Sequence, residues 1–126
     1  MDNNRFGSGR ARHAYEAVKA GLQDAEKQKE FASSAKKIGM LVKINGLVPA
    51  LLFAREKQQF GSIHEDVLSW LTAAGSPVQQ FMQHHAGIEG LTSLNSSQYR
   101  LVTAETQRYL AWVKRFASAL VKEENA

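Results

Sequence analysis

The stretch from Ser97 to Val121 contains no proline and no glycine, and its bulky residues fall at Tyr99, Val102, Thr106, Tyr109, Val113, Phe116 and Leu120. Those steps alternate between three and four. With about 3.6 residues per helical turn, they place every member on one side of an α-helix, which no extended strand can do. Leu101, Leu110, Trp112, Ala117 and Val121 widen the apolar surface beyond a narrow seam, so the helix needs neighbours on more than one side. The remaining face carries Arg100, Gln107, Arg108, Lys114, Arg115 and Lys122 with almost no acid. The expectation is the central helix of a bundle, with a basic stripe turned outward.

The rest of the chain reads as shorter helices. From Arg10, the residues Ala11, Ala14, Tyr15, Val18, Leu22 and Ala25 keep one side, while Arg12, Glu16, Lys19 and Gln23 keep the other. Gly21 costs such a helix about 1 kcal/mol relative to alanine and marks a place for a bend. A second run takes in Phe31, Ala35, Ile38, Leu41, Val42 and Ile44 and stops at Asn45-Gly46, a dipeptide suited to positive φ. Leu47, Val48, Leu51, Leu52 and Phe53 predict a third helix to about Lys57, with Pro49 tolerated in its first turn and a break at Gln58 to Gly61.

Ser62-Ile63-His64-Glu65 has the Ser-x-x-Glu form of a capping box, opening a fourth helix whose inner side is Val67, Leu68, Trp70 and Leu71 and which Gly75 closes. Ser76-Pro77 predicts a short helix from Val78 to about Ala86, with Phe81 and Met82 inward. Gly87 to Ser96 shows no period and reads as irregular. Asn95, with Gln98 three residues on, signals the start of the last helix. Met1 to Gly9 reads as a loose lead-in, and the residues beyond Lys122 as a fraying end. No segment alternates with period two for long enough to be a strand. The fold class is therefore all-α, a single compact bundle of about five or six helices with a long C-terminal helix, in one domain over residues 1–126.

Several chemistries are excluded or disfavoured by content. There are no cysteines, so disulfides, thiolate metal sites and cysteine nucleophiles are ruled out, and a reducing, cytoplasmic setting is the expectation. No apolar run approaches the roughly 18 residues of a membrane span, and Met1-Asp2-Asn3-Asn4 lacks the pattern of a secretory leader. The histidines are His13, His64 and the adjacent pair His84-His85. Neighbours on a helix point about 100° apart, so His84 and His85 cannot chelate together. His64-Glu65-Asp66 lies in a first helical turn, where acids are favoured by the helix dipole, and reads as capping rather than catalysis. Phe6-Gly7-Ser8-Gly9 has neither the preceding strand nor the Lys-Ser/Thr ending of a phosphate loop. Glu105 reads as a partner for Arg108. No catalytic residue, metal site or cofactor is expected.

The basic residues are more informative. The net charge is +4, from 16 Lys and Arg against 12 Asp and Glu. Arg108, Arg115 and Lys122 recur every seven residues and stack on one helix face, about 10.5 Å per step, with Arg100, Gln107 and Lys114 in a row beside them. Arg12 and Lys19 are likewise seven apart and follow Arg10. Lys36, Lys37 and Lys43 accompany the second helix. Each row alone fits a solvated face; together, with so little interspersed acid, they favour a surface that tracks phosphates without reading sequence. Tyr99, Tyr109 and Trp112 follow the apolar period and are expected in the core.

Arg10-Ala11-x-x-Ala14-Tyr15-x-x-Val18, Lys37-Ile38 leading into Ile44-Asn45-Gly46-Leu47, and Tyr99-Arg100-Leu101-x-Thr103-x-Glu105 with Tyr109-Leu110-x-Trp112-x-Lys114-Arg115-Phe116-Ala117 resemble the small α-helical subunit of the type III-B CRISPR RNA-targeting (Cmr) complex, from about Arg10 to Val121. The resemblance implies a non-catalytic subunit, present in several copies beside the subunits that hold the guide RNA. It implies a positively charged channel along the guide–target duplex, with target cleavage left to neighbouring subunits in crRNA-guided antiviral defence. Within the matched motifs, Arg10, Lys37, Lys114 and Arg115 are the expected phosphate contacts, and face geometry adds Arg12, Lys19, Lys43 and Arg108. Two alternatives stay open: the small subunit of the related type III-A effector, and a helical protein–protein adaptor that touches no RNA.

Overall fold

The computed structural model describes residues 9–82 and 87–124, with the backbone alone for 122–124. Among the described residues there are six α-helices and no strand: α1 Arg10–Asp24, α2 Gln28–Asn45, α3 Leu47–Glu56, α4 Ile63–Thr72, α5 Gly87–Thr92 and α6 Ser96–Glu124, with 3₁₀ turns at Gln58–Phe60 and Gln79–Met82. The all-α reading and the long C-terminal helix are borne out. The last helix starts as expected, because the Asn95 N–H donates to Gln98 Oε1 (3.1 Å) and the Gln98 N–H donates to Asn95 Oδ1 (2.9 Å). It runs to Glu124. The expected loose lead-in lies, apart from Gly9, outside the described residues, as do His84, His85, Ala86 and the Lys122 side chain.

α6 is the axis. Val102, Thr106, Tyr109, Leu110, Val113 and Ala117 are buried along it, as the three–four spacing requires. α1 runs parallel to α6, since Arg10 meets Glu105, His13 meets Tyr109, and Tyr15 meets Phe116. α2 runs antiparallel. Gly39 sits against Gln107 and Leu110, and at the far end the Tyr99 hydroxyl accepts the Val48 N–H (3.0 Å), pairing one of the orphan amides at the start of α3. α4 lies beneath, with Trp70 stacked on Tyr109 at 6.0 Å, and α3 bridges α2 and α4. α6 is thus covered by α1, α4 and α2 on its apolar arc. The arc left open lies between α1 and α2.

Two glycines are required by this geometry. Gly46 has φ of 93° and turns the chain from α2 into α3. Gly21 lies within the unbroken helix α1, where a Cβ would fall 2.3 Å from Cζ of Phe31, so the missing side chain seats that buried ring between α1 and α2.

Three local expectations fail for identifiable reasons. Ser62 makes no side-chain cap, because its ψ of 23° is not the extended conformation that aims the hydroxyl at the following amides. In place of a helix from Val78 to Ala86 there is a 3₁₀ turn, held by the Gln79 N–H on the Ser76 carbonyl and the Phe81 N–H on the Val78 carbonyl; the remainder of that span lies outside the described residues. In the stretch expected to be irregular, α5 forms one short helix around Leu91, which is buried with Gly90. Thr92 and Ser93 close it by donating to the Glu89 carbonyl.

Candidate nucleic-acid interface

The open arc of α6 follows from its own periodicity. Taking 100° per residue, Ala104, Ala111, Arg115 and Ser118 point away from the buried arc centred on Val102, Tyr109 and Val113. Arg100 and Lys114 flank this line on the side of α2, and Leu101 and Arg108 on the side of α1. Arg100, Arg108, Lys114 and Arg115 are all exposed. Between Lys114 and Arg115 lies a shallow depression of about 620 Å³ floored by Ala111, Ser118 and Ala119. Among the described residues neither Lys114 nor Arg115 has an acidic partner within 4 Å.

The acid expected to partner Arg108 does so, but its closer partner is Arg10. Glu105 is 1 % exposed and points inward, where Arg10 grips it with two hydrogen bonds of 2.5 and 2.9 Å and the Trp70 Nε1–H donates at 2.8 Å. Arg108 reaches the same carboxylate only at 3.6 Å and stays largely exposed. Two charge-assisted bonds from a guanidinium fork neutralise a carboxylate that burial would otherwise make costly. Arg10 is therefore withdrawn from the list of phosphate contacts: its charge is spent inside the fold. Beside this pair, His13 bridges Tyr109 Oη (2.8 Å, through Nδ1) and Ser69 Oγ (3.2 Å, through Nε2). Burial lowers the His13 pKa, partly offset by a backbone hydrogen bond, and burial raises that of Tyr109, reinforced by the Asp66 charge.

The flanking helices contribute unequally. On α1, Lys19 is exposed and lies 5.9 Å over the Tyr15 ring, whereas Arg12 is exposed but pairs with Glu16 at 3.1 Å. On α2, Gly39 marks the direction of α6. Lys36 and Lys43 lie about 60° and 40° from it around the helix, and Lys37 lies about 160° away. Lys43 and Lys36 thus border the open arc, and Lys37 turns from it, sharing the outer face of α2 with Met40 and Ile44, which are 62 % and 69 % exposed. Lys36 was not singled out by motif. Its seven-residue spacing from Lys43 was the available signal.

Trp112 departs from the expected core position. It is half-buried at the α1–α6 seam, where Phe116 stacks on it at 5.7 Å and 22°, Tyr15 meets Phe116 edge-on at 5.5 Å, and the Arg115 guanidinium lies 5.5 Å over the indole. Tyr99 is half-buried as well; Tyr109 alone of the three is fully enclosed.

Five acids gather away from this face. Asp24, Glu26, Glu30, Glu65 and Asp66 line a cavity of about 750 Å³ between the end of α1, the start of α2, the first 3₁₀ turn and the start of α4, to which α6 contributes nothing. Burial, reinforced by the Glu65 charge, pushes the Asp66 pKa up to about 7. Among the described residues no group of three His, Asp or Glu side chains is placed to hold a metal ion. No described helix is long and apolar enough to cross a membrane.

Comparison with known proteins decides the lineage. The model of the CRISPR-associated protein family Cas_Cmr5 matches residues 7–120. The chain belongs to that family. It is accordingly a small subunit of the type III-B Cmr complex and associates with other Cmr subunits, which places it outside the III-A alternative. The chain is also similar to the crystal structure of a CRISPR-associated Cmr5 family protein from Thermus thermophilus, with a TM-score of 0.65 and 26% identity over 89% of this chain and 93% of that one. No curated protein sequence matches it.

Proposed function

We propose that this subunit is non-catalytic and holds the RNA backbone in the Cmr effector through the open arc of α6, in several copies beside the subunits that carry the guide RNA, in the cytoplasmic defence against foreign RNA. One observation carries the reading: Lys114 and Arg115 stand exposed and acid-free on an arc that α2 borders with Lys36 and Lys43 and α1 with Lys19, while the one acid in the middle of α6 is buried on Arg10. Such a surface tracks phosphates, so its affinity must fall with salt. Arg108, Arg100 and Lys43 extend the contact; Arg12, tied to Glu16, adds less.

The test is K114E/R115E in the purified full chain and in the reconstituted complex. Removing two phosphate contacts should weaken RNA binding at least tenfold at low salt. It should also make the dependence of log K on log salt shallower by about 1.4, for a single strand, with the helical signal kept. Unchanged affinity and slope, with target cleavage intact, would end the RNA-facing reading.

One face supports the adaptor reading in part. Met40 and Ile44 on the outer side of α2 are too exposed and too apolar for a phosphate surface, and with Lys37 they suit a protein neighbour. Lys37 belongs with that contact. M40E/I44E should then loosen the assembly without changing RNA affinity of the free chain.

A further inference from the structure

The two tryptophans are held in opposite ways. Trp70 is 2 % exposed and its indole N–H is committed to Glu105. Trp112 is half-buried, and its indole N–H has no hydrogen-bond partner among the described residues. A half-buried indole keeps part of its aromatic surface accessible at the edge of the fold. The ring belongs to a continuous aromatic row, Trp112–Phe116–Tyr15, with a cation over each end: Arg115 at 5.5 Å and Lys19 at 5.9 Å. Arg115 also forms one wall of the depression it shares with Lys114. A single guanidinium therefore stands between an open basic depression and a half-buried indole.

We propose that this juxtaposition is a nucleotide site: one unstacked ribonucleotide of a single-stranded RNA segment places its phosphate between Lys114 and Arg115 and its base against Trp112. The proposal rests on the RNA-backbone reading above and adds a base contact to it. Every base has a π-face, so the contact is sequence-tolerant, and a guanidinium already lying over an indole is positioned to serve base and phosphate together. A duplex, whose bases are inside, uses the phosphate half of the site alone. The surroundings favour a polyanion, since five of the acids line a cavity to which α6 contributes nothing and neither Lys114 nor Arg115 has an acidic partner within 4 Å among the described residues.

The experiment uses the full chain at low salt with two single strands of equal length, oligouridylate and an abasic ribose-phosphate strand, and follows both affinity and tryptophan emission. Trp70 is enclosed, so a change of emission reports Trp112. The expected result is tighter binding of oligouridylate, by about fivefold or more for one stacked base, with emission quenched by oligouridylate and not by the abasic strand. In W112L the two strands should bind alike, and in W112F the preference for bases should be partly kept. Equal affinity of the wild-type chain for both strands overturns the nucleotide site and leaves the backbone reading standing. Failure of both strands to bind overturns both. The wild-type comparison decides the matter even where W112L does not fold.

Discussion

Arg10 bears on α6 at Glu105 and Arg115 projects from it about 80° away around the axis, and the two have opposite fates. Arg10 is drawn into the interior by a carboxylate that α6 presents inward at Glu105, and its charge is cancelled in a network with Trp70. Arg115 stands on the outward side, rests on an indole, and keeps its charge for a partner. Both are arginines within a family-like motif. What separates them is the angle at which α6 presents acid: one carboxylate at the buried arc, none in the described part of the open one. A basic motif becomes a binding surface only where the fold has no acid left to spend on it.

The comparison breaks first at Glu105. E105A leaves Arg10 and the Trp70 N–H without their partner, and should cost about 3 kcal/mol, the low end for a broken buried pair because Arg10 can still reach water. Thermal unfolding should shift down by about 10 °C, with RNA affinity of the folded molecule unchanged. A folded E105A chain that no longer binds RNA would show that the two sides of α6 are not independent.

Next comes G21A, in which the new methyl group meets the buried Phe31 ring; repacking should cost about 1–2 kcal/mol after the gain in helix propensity, measured by denaturant midpoint.

Acidity acts on the buried side in two opposed ways. The unfolded Asp66 carboxyl releases its proton near pH 3.8, whereas the folded one holds it to about pH 7. The folded state therefore carries the extra proton in that window, and stability falls as pH rises from about 4 to 7. His13 works the other way: the unfolded imidazole takes a proton near 6.5 while the folded one resists, so acidification below 6.5 costs stability. D66N should remove the first slope and expose the second in thermal scans across pH.

The smallest effect on stability is expected from K114E/R115E, within about 0.5 kcal/mol in denaturant titration, because both side chains are exposed and unpaired by acid; the loss expected of this variant is in RNA binding.

Much of the fold could be read from periodicity, and the residues show why. Apolar spacing along α6 reports which residues face neighbours, a local property of 3.6 residues per turn, and Val102, Tyr109, Val113 and Ala117 are buried accordingly. The Asn95–Gln98 reciprocal cap and the Asn45-Gly46 stop are also local, since donor and acceptor lie within one turn. The Ser62 cap does not form because the residue pattern leaves ψ undetermined, and ψ of 23° follows the turn that leads from the preceding 3₁₀ segment into α4.

By itself the sequence determined six-helix-scale content, the place of the long helix, its inward and outward faces, and an excess of cations on the outward one. Only tertiary structure decided which cations remain available. Whether Arg10 finds Glu105, whether Lys36 rather than Lys37 borders α6, and whether Trp112 is enclosed or left at a rim all depend on side chains brought together from helices far apart in the chain. Helical period states the direction of each side chain from its own axis; it carries no information about what stands opposite.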